Sequence, residues 1–260
     1  MAEKQYKFGG LLVFEGRDEN GRIQIVDSEN TVRSMYFDST AKQSAINLNA
    51  PDQLILEYTQ AMMASLLFAG KVETVLILGL GGGSIPKFLH CHFSSCSIDV
   101  VECRELVVDL SYTFFGLPME NRLCVHRQHA EDFLENCPAG RYDLIFVDIF
   151  DKMGVCAAVS RRRFSALLQS TLRSNGVIAM NLWTQPKQLY CKTRADLQDC
   201  FGNRVMELPI AGRINRILLA VDAARCNINR KQLEKRAWMF QGVLGIDFPL
   251  LLERLFKFNH

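Results

Sequence analysis

No apolar run in this sequence approaches the roughly 20 residues needed to cross a bilayer, so no membrane-spanning helix or membrane partner is expected. The stretch from Met1 to Asp18 has too short an apolar segment, and becomes charged too soon, for a secretory signal. There is no C-x-x-C pair, and the nine cysteines are odd in number and irregularly spaced. That pattern excludes a recognisable disulfide framework, argues against a zinc site, and fits dispersed reduced thiols in the cytoplasm. Charge of either sign is nearly balanced, with 30 Lys and Arg against 28 Asp and Glu and a net charge of +2. The basic residues are scattered apart from Arg161-Arg162-Arg163 and the C-terminal segment, so nucleic acid is not an expected partner. Internal repeats, low-complexity segments and obvious linkers are also lacking. What is present is a 260-residue chain that is 48% hydrophobic, enough for one large domain or one domain with a small appendage.

The first third carries short β-type runs. "LLVFEG", "RIQIVDS" and "TVRSMYFD" lie between residues 10 and 38, separated by turn-forming "DENG" and by Glu29-Asn30. They predict a small antiparallel sheet in residues 1–50. After a polar stretch ending at Asn49-Ala50-Pro51, the apolar spacing of Leu54 to Phe68 predicts a helix. β and α signals then alternate, with strands at Thr74 to Leu78, Ser97 to Val101, Leu123 to Arg127, Leu144 to Asp148 and Gly176 to Asn181. Helices are expected from Ser84, from Leu106, from Glu131 and around Arg162 to Arg173. This alternation predicts an α/β fold whose parallel sheet is covered on both faces. "NRVMELPI" and "RINRILLAVDA" read as two antiparallel edge strands. The organisation is therefore a β-domain over 1–50, a nucleoside-binding domain over 51–225 and a helical tail over 226–260.

"VLILGLGGGSIPKFL" joins an apolar strand to an amphipathic helix through Gly79, Gly81 and Gly83. Such a turn lets the backbone approach a ligand and offers amides at a helix N-terminus. The position of the third glycine in the dinucleotide fingerprint is Ser84, which favours a nucleoside or an amino-acid carboxylate over NAD. Glu102 follows about 20 residues later, the spacing at which an acid meets ribose hydroxyls. The alternative is a tight turn with a solvated acid beside it. The third strand ends in "VHRQHAEDF", where Ala130 leaves room for an adenine and His129 either faces the base or is an unengaged loop histidine.

"YDLIFVDIFDKMG" delivers Asp148 and Asp151 to the same edge. Two acids there would bind a cationic substrate or accept a proton; alternatively Asp148 caps the loop and Asp151 caps a following helix. His90 and His92 flank Cys91, but no Cys or carboxylate cluster stands near them at zinc spacing, so no metal is expected.

Taken together, these residues resemble the spermidine synthase family of aminopropyltransferases, in its divergent spermidine synthase-like group, from the N-terminal β-segment to about Asp222. The resemblance implies a Rossmann-like, adenosylmethionine-dependent methyltransferase-type parallel sheet with a small N-terminal antiparallel β-domain. The family's GGGDGG turn reads Gly79-Leu80-Gly81-Gly82-Gly83-Ser84 here, with Gly82 where the family has aspartate. Its E-x-D becomes Glu102-Cys103-Arg104, and the acid usual after the third strand becomes His129-Ala130. Its D-S-S-D-P loop is matched by Asp148-Ile149-Phe150-Asp151-Lys152, which keeps both acids, and its Y-H-E segment falls on Glu57-Tyr58-Thr59. The implied chemistry is aminopropyl transfer from decarboxylated S-adenosylmethionine to a small amine. The donor would be a co-substrate rather than a tightly bound cofactor, and a homodimer would be the assembly. An S-adenosylmethionine-dependent methyltransferase and a non-catalytic nucleoside-binding protein are the alternatives.

Overall fold

The computed structural model describes residues 5–28, 31–151, 154–221 and 228–259. Its first unit is a five-stranded antiparallel sheet in simple chain order: β1 (Tyr6–Lys7), β2 (Gly10–Asp18), β3 (Gly21–Ser28), β4 (Val32–Phe37) and β5 (Lys42–Asn47). The first long hairpin closes between Asp18 and Gly21, where Gly21 takes φ 119°. Strand β5 lies in what reads as a polar stretch, because Lys42, Gln43 and Ser44 hide its periodicity. Pairing with β4 nevertheless buries Ser44, Ala45 and Ile46.

The segment expected to be helical from Leu54 to Phe68 forms α1 (Glu57–Met62) and then tightens into a 3-10 helix over Met63–Leu67. It is apolar on nearly all sides, as a helix enclosed by neighbours must be, and Met62 to Phe68 are all buried.

The remaining chain builds the main sheet. Its order of elements is β6 (Thr74–Leu78), α2 (Ser84–His92), β7 (Ser97–Glu102), α3 (Glu105–Thr113), β8 (Leu123–Arg127), α4 (Ala130–Glu135) and β9 (Tyr142–Val147). A short hairpin, β10 (Phe150–Asp151) with β11 (Gly154–Val155), precedes a 3-10 turn, α5 (Arg162–Thr171) and β12 (Leu172–Trp183). Strand β12 begins earlier than its apolar run suggests, with a register shift between Leu172 and Val177. Helix α6 (Lys187–Phe201) was not evident as a periodic signal, since it buries only Thr193, Leu197 and Phe201. Strands β13 (Val205–Pro209) and β14 (Asn215–Val221) are the antiparallel edge pair, and α7 (Arg230–Leu244) and α8 (Phe248–Phe258) form the tail.

The strand order is β13-β14-β12-β9-β6-β7-β8, with β12, β9, β6, β7 and β8 parallel. The chain moves outward from β6 through β7 and β8, then returns to the other side of β6 with β9. That reversal creates a switch point beside the carboxyl end of β6, where open α/β sheets bind ligands.

Alternation along β6 feeds two cores. Val75 and Ile77 pack with α1, α2, α7 and α8, whereas Leu76 and Leu78 pack with α4, α5 and α6. The tail therefore covers one face of the sheet. A third cluster joins Ile23, Ile25, Met35 and Ile46 of the N-terminal sheet to Val107, Leu110 and Phe115 in and after α3. Polar ties reinforce this joint. The Arg104 guanidinium donates to both carboxylate oxygens of Asp18 at 2.8 and 3.0 Å and lies over the Phe37 ring at 4.5 Å. Among the described residues, the eight cysteines are all free and no helix is long and apolar enough to cross a membrane.

The Arg104 and Asp18 side chains are only 10% and 12% exposed, so removing one strands the other's charge. Arg104→Ala is expected to destabilise the protein by about 3 kcal/mol, lowering Tm by roughly 6–12 °C in calorimetry. Replacing the pair by Arg104→Met with Asp18→Leu is expected to restore most of that loss.

Candidate functional site

At the end of β6 the backbone turns through left-handed conformations at Gly79 (φ 99°), Gly81 (φ 53°) and Gly83 (φ 73°), which residues with a Cβ rarely adopt. Gly79 is constrained by contact as well: a Cβ there would lie 2.2 Å from the Asp148 carbonyl oxygen. The Gly79 N–H donates to the Val101 carbonyl at 2.9 Å, and the Asp148 N–H donates to the Leu78 carbonyl at 2.8 Å. The exits of β6, β7 and β9 are thereby laced into one edge.

The N-terminal sheet walls this turn. The buried Ser84 hydroxyl lies 3.3 Å from that of Ser44 and donates to the Ala45 carbonyl at 3.2 Å, so the residue in place of the third glycine ties α2 to β5. A Cβ on Gly82 would sit 2.6 Å from the Phe115 ring and 2.9 Å from Ser44 Oγ. In this fold the aspartate of the family pattern would have no room at residue 82, because Phe115 and Ser44 occupy the space. Below the turn, the buried Lys87 amine donates to the Phe115 carbonyl at 2.6 Å, and desolvation lowers its pKa to about 8.

Glu102, the last residue of β7, folds back onto the turn. One carboxylate oxygen accepts the Leu80 N–H at 3.1 Å and the other accepts the Arg104 N–H at 2.9 Å. Desolvation raises its pKa, opposed by those two N–H groups. The Cys103 thiol bonds to the carboxylate as well, so the group is fixed by three donors, and a carboxylate with about four lone-pair sites can still accept from a hydroxyl. The Arg104 side chain, where the family pattern has a second acid, turns away to Asp18.

His129 and Ala130 follow β8, whose Arg127 is in register with Glu102. His129 stands at the N-cap position of α4 with an exposed side chain that makes no cap. Ala130 opens α4, half-buried against the core beneath. Both sit beside the Glu102 strand end, but no hydrogen bond brings His129 onto the glycine turn.

Asp148 is the chemically distinctive group. Asn181 on β12 donates to its Oδ1 at 2.8 Å, and Asn215 at the start of β14 in turn donates to the Asn181 Oδ1 at 3.0 Å. The Tyr58 hydroxyl from α1 donates to the Gln43 carbonyl at 3.2 Å and lies beside the carboxyl, whose ionised form it favours. Desolvation pushes the Asp148 pKa up to about 6, against the lowering effect of Asn181 and Tyr58. Desolvation and the neighbouring acid raise the Tyr58 phenol well above its usual value, so it stays a donor. The Asp151 backbone belongs to the β10–β11 hairpin rather than to a helix N-cap, and its side chain, with Lys152, lies outside the described residues.

Tyr58 and Asn181 escape a reading based on charged residues alone. Tyr58 is marked by the Y-H-E alignment, and Asn181 by being a polar residue inside the apolar run "GVIAMNLW", where it is 3% exposed.

A parallel sheet of this order with a glycine turn at its switch point defines a Rossmann-like domain of methyltransferase type. Within that class, residues 56–205 match the spermine/spermidine synthase domain, and the chain belongs to this family. It is 29% identical over 244 residues to the polyamine aminopropyltransferase of Chromobacterium violaceum, covering 90% of this chain and 89% of that one. Among solved structures it is similar to human methyltransferase-like protein 13 in complex with SAH, with a TM-score of 0.67 and 26% identity over 73% of this chain and 93% of that one. The spermidine synthase of Thermotoga maritima shares the fold at a TM-score of 0.69 and 14% identity, covering 95% of this chain and 88% of that one.

The contact at Gly82 is testable without substrate. Gly82→Ala is expected to cost about 1–3 kcal/mol through overpacking, and Phe115→Leu in the same chain is expected to recover part of it. Denaturant unfolding of both single variants and the double variant measures the coupling.

Proposed function

We propose that the protein transfers an aminopropyl group from decarboxylated S-adenosylmethionine to a small amine. The observation that carries this reading is that Asp148, the desolvated carboxylate, touches the glycine turn through its own backbone. In the proposal Gly79, Gly81, Gly83 and Glu102 hold the nucleoside, His129 and Ala130 border its base, and Asp151 attracts the charge of the amine. The donor enters and leaves as a co-substrate.

The reaction joins the amine nitrogen to the carbon beside the sulfonium, breaks that carbon–sulfur bond and releases methylthioadenosine as a neutral thioether. The nitrogen must lose a proton, which Asp148 accepts. An alkylammonium has a reference pKa near 10 and an ordinary aspartate one near 4. Raising Asp148 to about 6 makes it a stronger base by roughly a hundredfold, while it remains ionised at neutral pH. Asn181 orients the carboxylate without neutralising it, because it donates and carries no charge, and the Tyr58 phenol beside it is likewise neutral.

Incubating the pure protein with decarboxylated S-adenosylmethionine and putrescine tests the reading, and methylthioadenosine is the expected product. A folded protein that binds the donor and forms none would refute it. The acid limb of kcat/KM is expected to titrate near pH 6, where an unperturbed aspartate would give about 4. Asn181→Leu, which removes a donor that favours the ionised form, is expected to move that limb to higher pH.

Asp148→Asn separates chemistry from stability. Because burial raises the folded-state pKa, the fold favours the neutral acid. That contribution is fully present below about pH 4 and is lost as pH rises through about 6. At pH 7.5 the variant is therefore expected to keep or gain thermal stability while losing roughly 10²–10⁴ in turnover.

The likeness to a methyltransferase solved with SAH supports a second reading, methyl transfer from intact S-adenosylmethionine at the same turn. Calorimetry with both donors separates the two, and tighter binding of the intact form would favour the methyltransferase.

A further inference from the structure

Helix α2 runs from the glycine turn for nine residues and ends in Cys91 and His92. Along the chain these residues have no carboxylate near them, but the fold supplies one. Asp52, 39 residues earlier in the turn that follows the N-terminal sheet, brings its Oδ2 to 3.6 Å from Cys91 Sγ. Donor atoms of Asp52, Cys91 and His92 all lie within 4.8 Å of one another.

Tetrahedral zinc holds a thiolate at about 2.3 Å and a carboxylate oxygen at about 2.0 Å, which places sulfur and oxygen about 3.5 Å apart. The Cys91 to Asp52 separation already matches the edge of such a tetrahedron. Successive residues inside a helix diverge, but here the helix stops at His92 and the chain leaves it at Phe93. The Phe88 ring, 4.5 Å from that of His92, braces the imidazole from one turn earlier.

The surroundings suit a cation. The site lies at the carbonyl end of α2, where the helix dipole favours positive charge. One thiolate and one carboxylate balance a dication. Of the nearby cations, Arg122 donates to the carbonyls of His90 and Phe93 and lies 3.7 Å from Glu120, and Lys87 donates to the Phe115 carbonyl; both act on the site only through space. Among the described residues no lysine or arginine forms an ion pair with Asp52. Cys91 and His92 are exposed and Asp52 is half-buried, which leaves a face open to solvent.

We propose that Asp52, Cys91 and His92 bind one divalent cation of the zinc class, with water in the fourth position, and so pin the end of α2 to the segment entering the main domain. The mixed sulfur, nitrogen and oxygen set selects zinc or cobalt over magnesium and calcium. As the metal–sulfur bond forms, the thiol proton passes to solvent.

Titrating the full chain with cobalt(II) tests this site independently of any transfer activity. One equivalent is expected to bind with a sulfur-to-cobalt charge-transfer band, which zinc displaces. Cys91→Ser is expected to abolish the band, while Cys124→Ser, at another exposed thiol, keeps it. Asp52→Ala and His92→Ala are each expected to weaken binding at least about tenfold, the low end of the loss caused by removing even an outer partner of a ligand. Zinc is expected to raise Tm in the parent and not in Cys91→Ser. Absence of the band, or a band and affinity unchanged in a folded Cys91→Ser, would overturn the proposal.

Discussion

The backbone of Gly79 rests against the carbonyl of Asp148, and the geometry of the ligand edge follows from that contact. A Cβ would fall 2.2 Å from the oxygen, so the exits of β6 and β9 stay this close only because residue 79 is glycine. Parallel pairing of Val75 to Leu78 with Leu144 to Val147 holds both strands in register up to that point. The turn that would receive a nucleoside and the acid that would serve a second substrate are therefore one rigid unit. Their separation is set by sheet register rather than by loop conformation, which suits a reaction between two bound molecules.

The two acids on this edge are stabilised by neutral donors. Glu102 is held by backbone N–H groups, and Asp148 by the Asn181 amide with the neutral Tyr58 phenol beside it. A cation beside either would pull its pKa down and spend its basicity on an ion pair. The Arg104 guanidinium, which acts on Glu102 only through space, instead pairs with the buried Asp18, where it fastens the N-terminal sheet to the main domain. The residue that departs most from the family's pattern on this edge has acquired an architectural use. Gly82 has a comparable explanation, since Phe115 and Ser44 fill the space a side chain would need.

The parallel strands, the glycine turn and the acids at strand ends were legible in the sequence because each is a local pattern: an apolar run, a glycine cluster, a carboxylate after a run. Strand β5 was not, because its polar half acquires burial only on pairing with β4. Helix α6 presents too few apolar positions for a clear period. Asn181 and Tyr58 reach Asp148 from distant segments, so their relation to it exists only in the folded chain. Asp52 beside Cys91 is the same case, a neighbour supplied by topology. His129 follows β8 with an exposed side chain at the start of α4, and residue type alone assigns it no partner.

The chain of amides from Asp148 through Asn181 ends on Asn215, in the last strand to join the sheet. During synthesis the glycine turn, Glu102 and Asp148 itself are all available once β9 has emerged. The support of Asp148 is complete only when β12 and then β14 have been added. The orientation of Asp148 thus depends on the last strand in chain order, so a change at the β14 edge reaches the acid at the centre of the sheet through two amides.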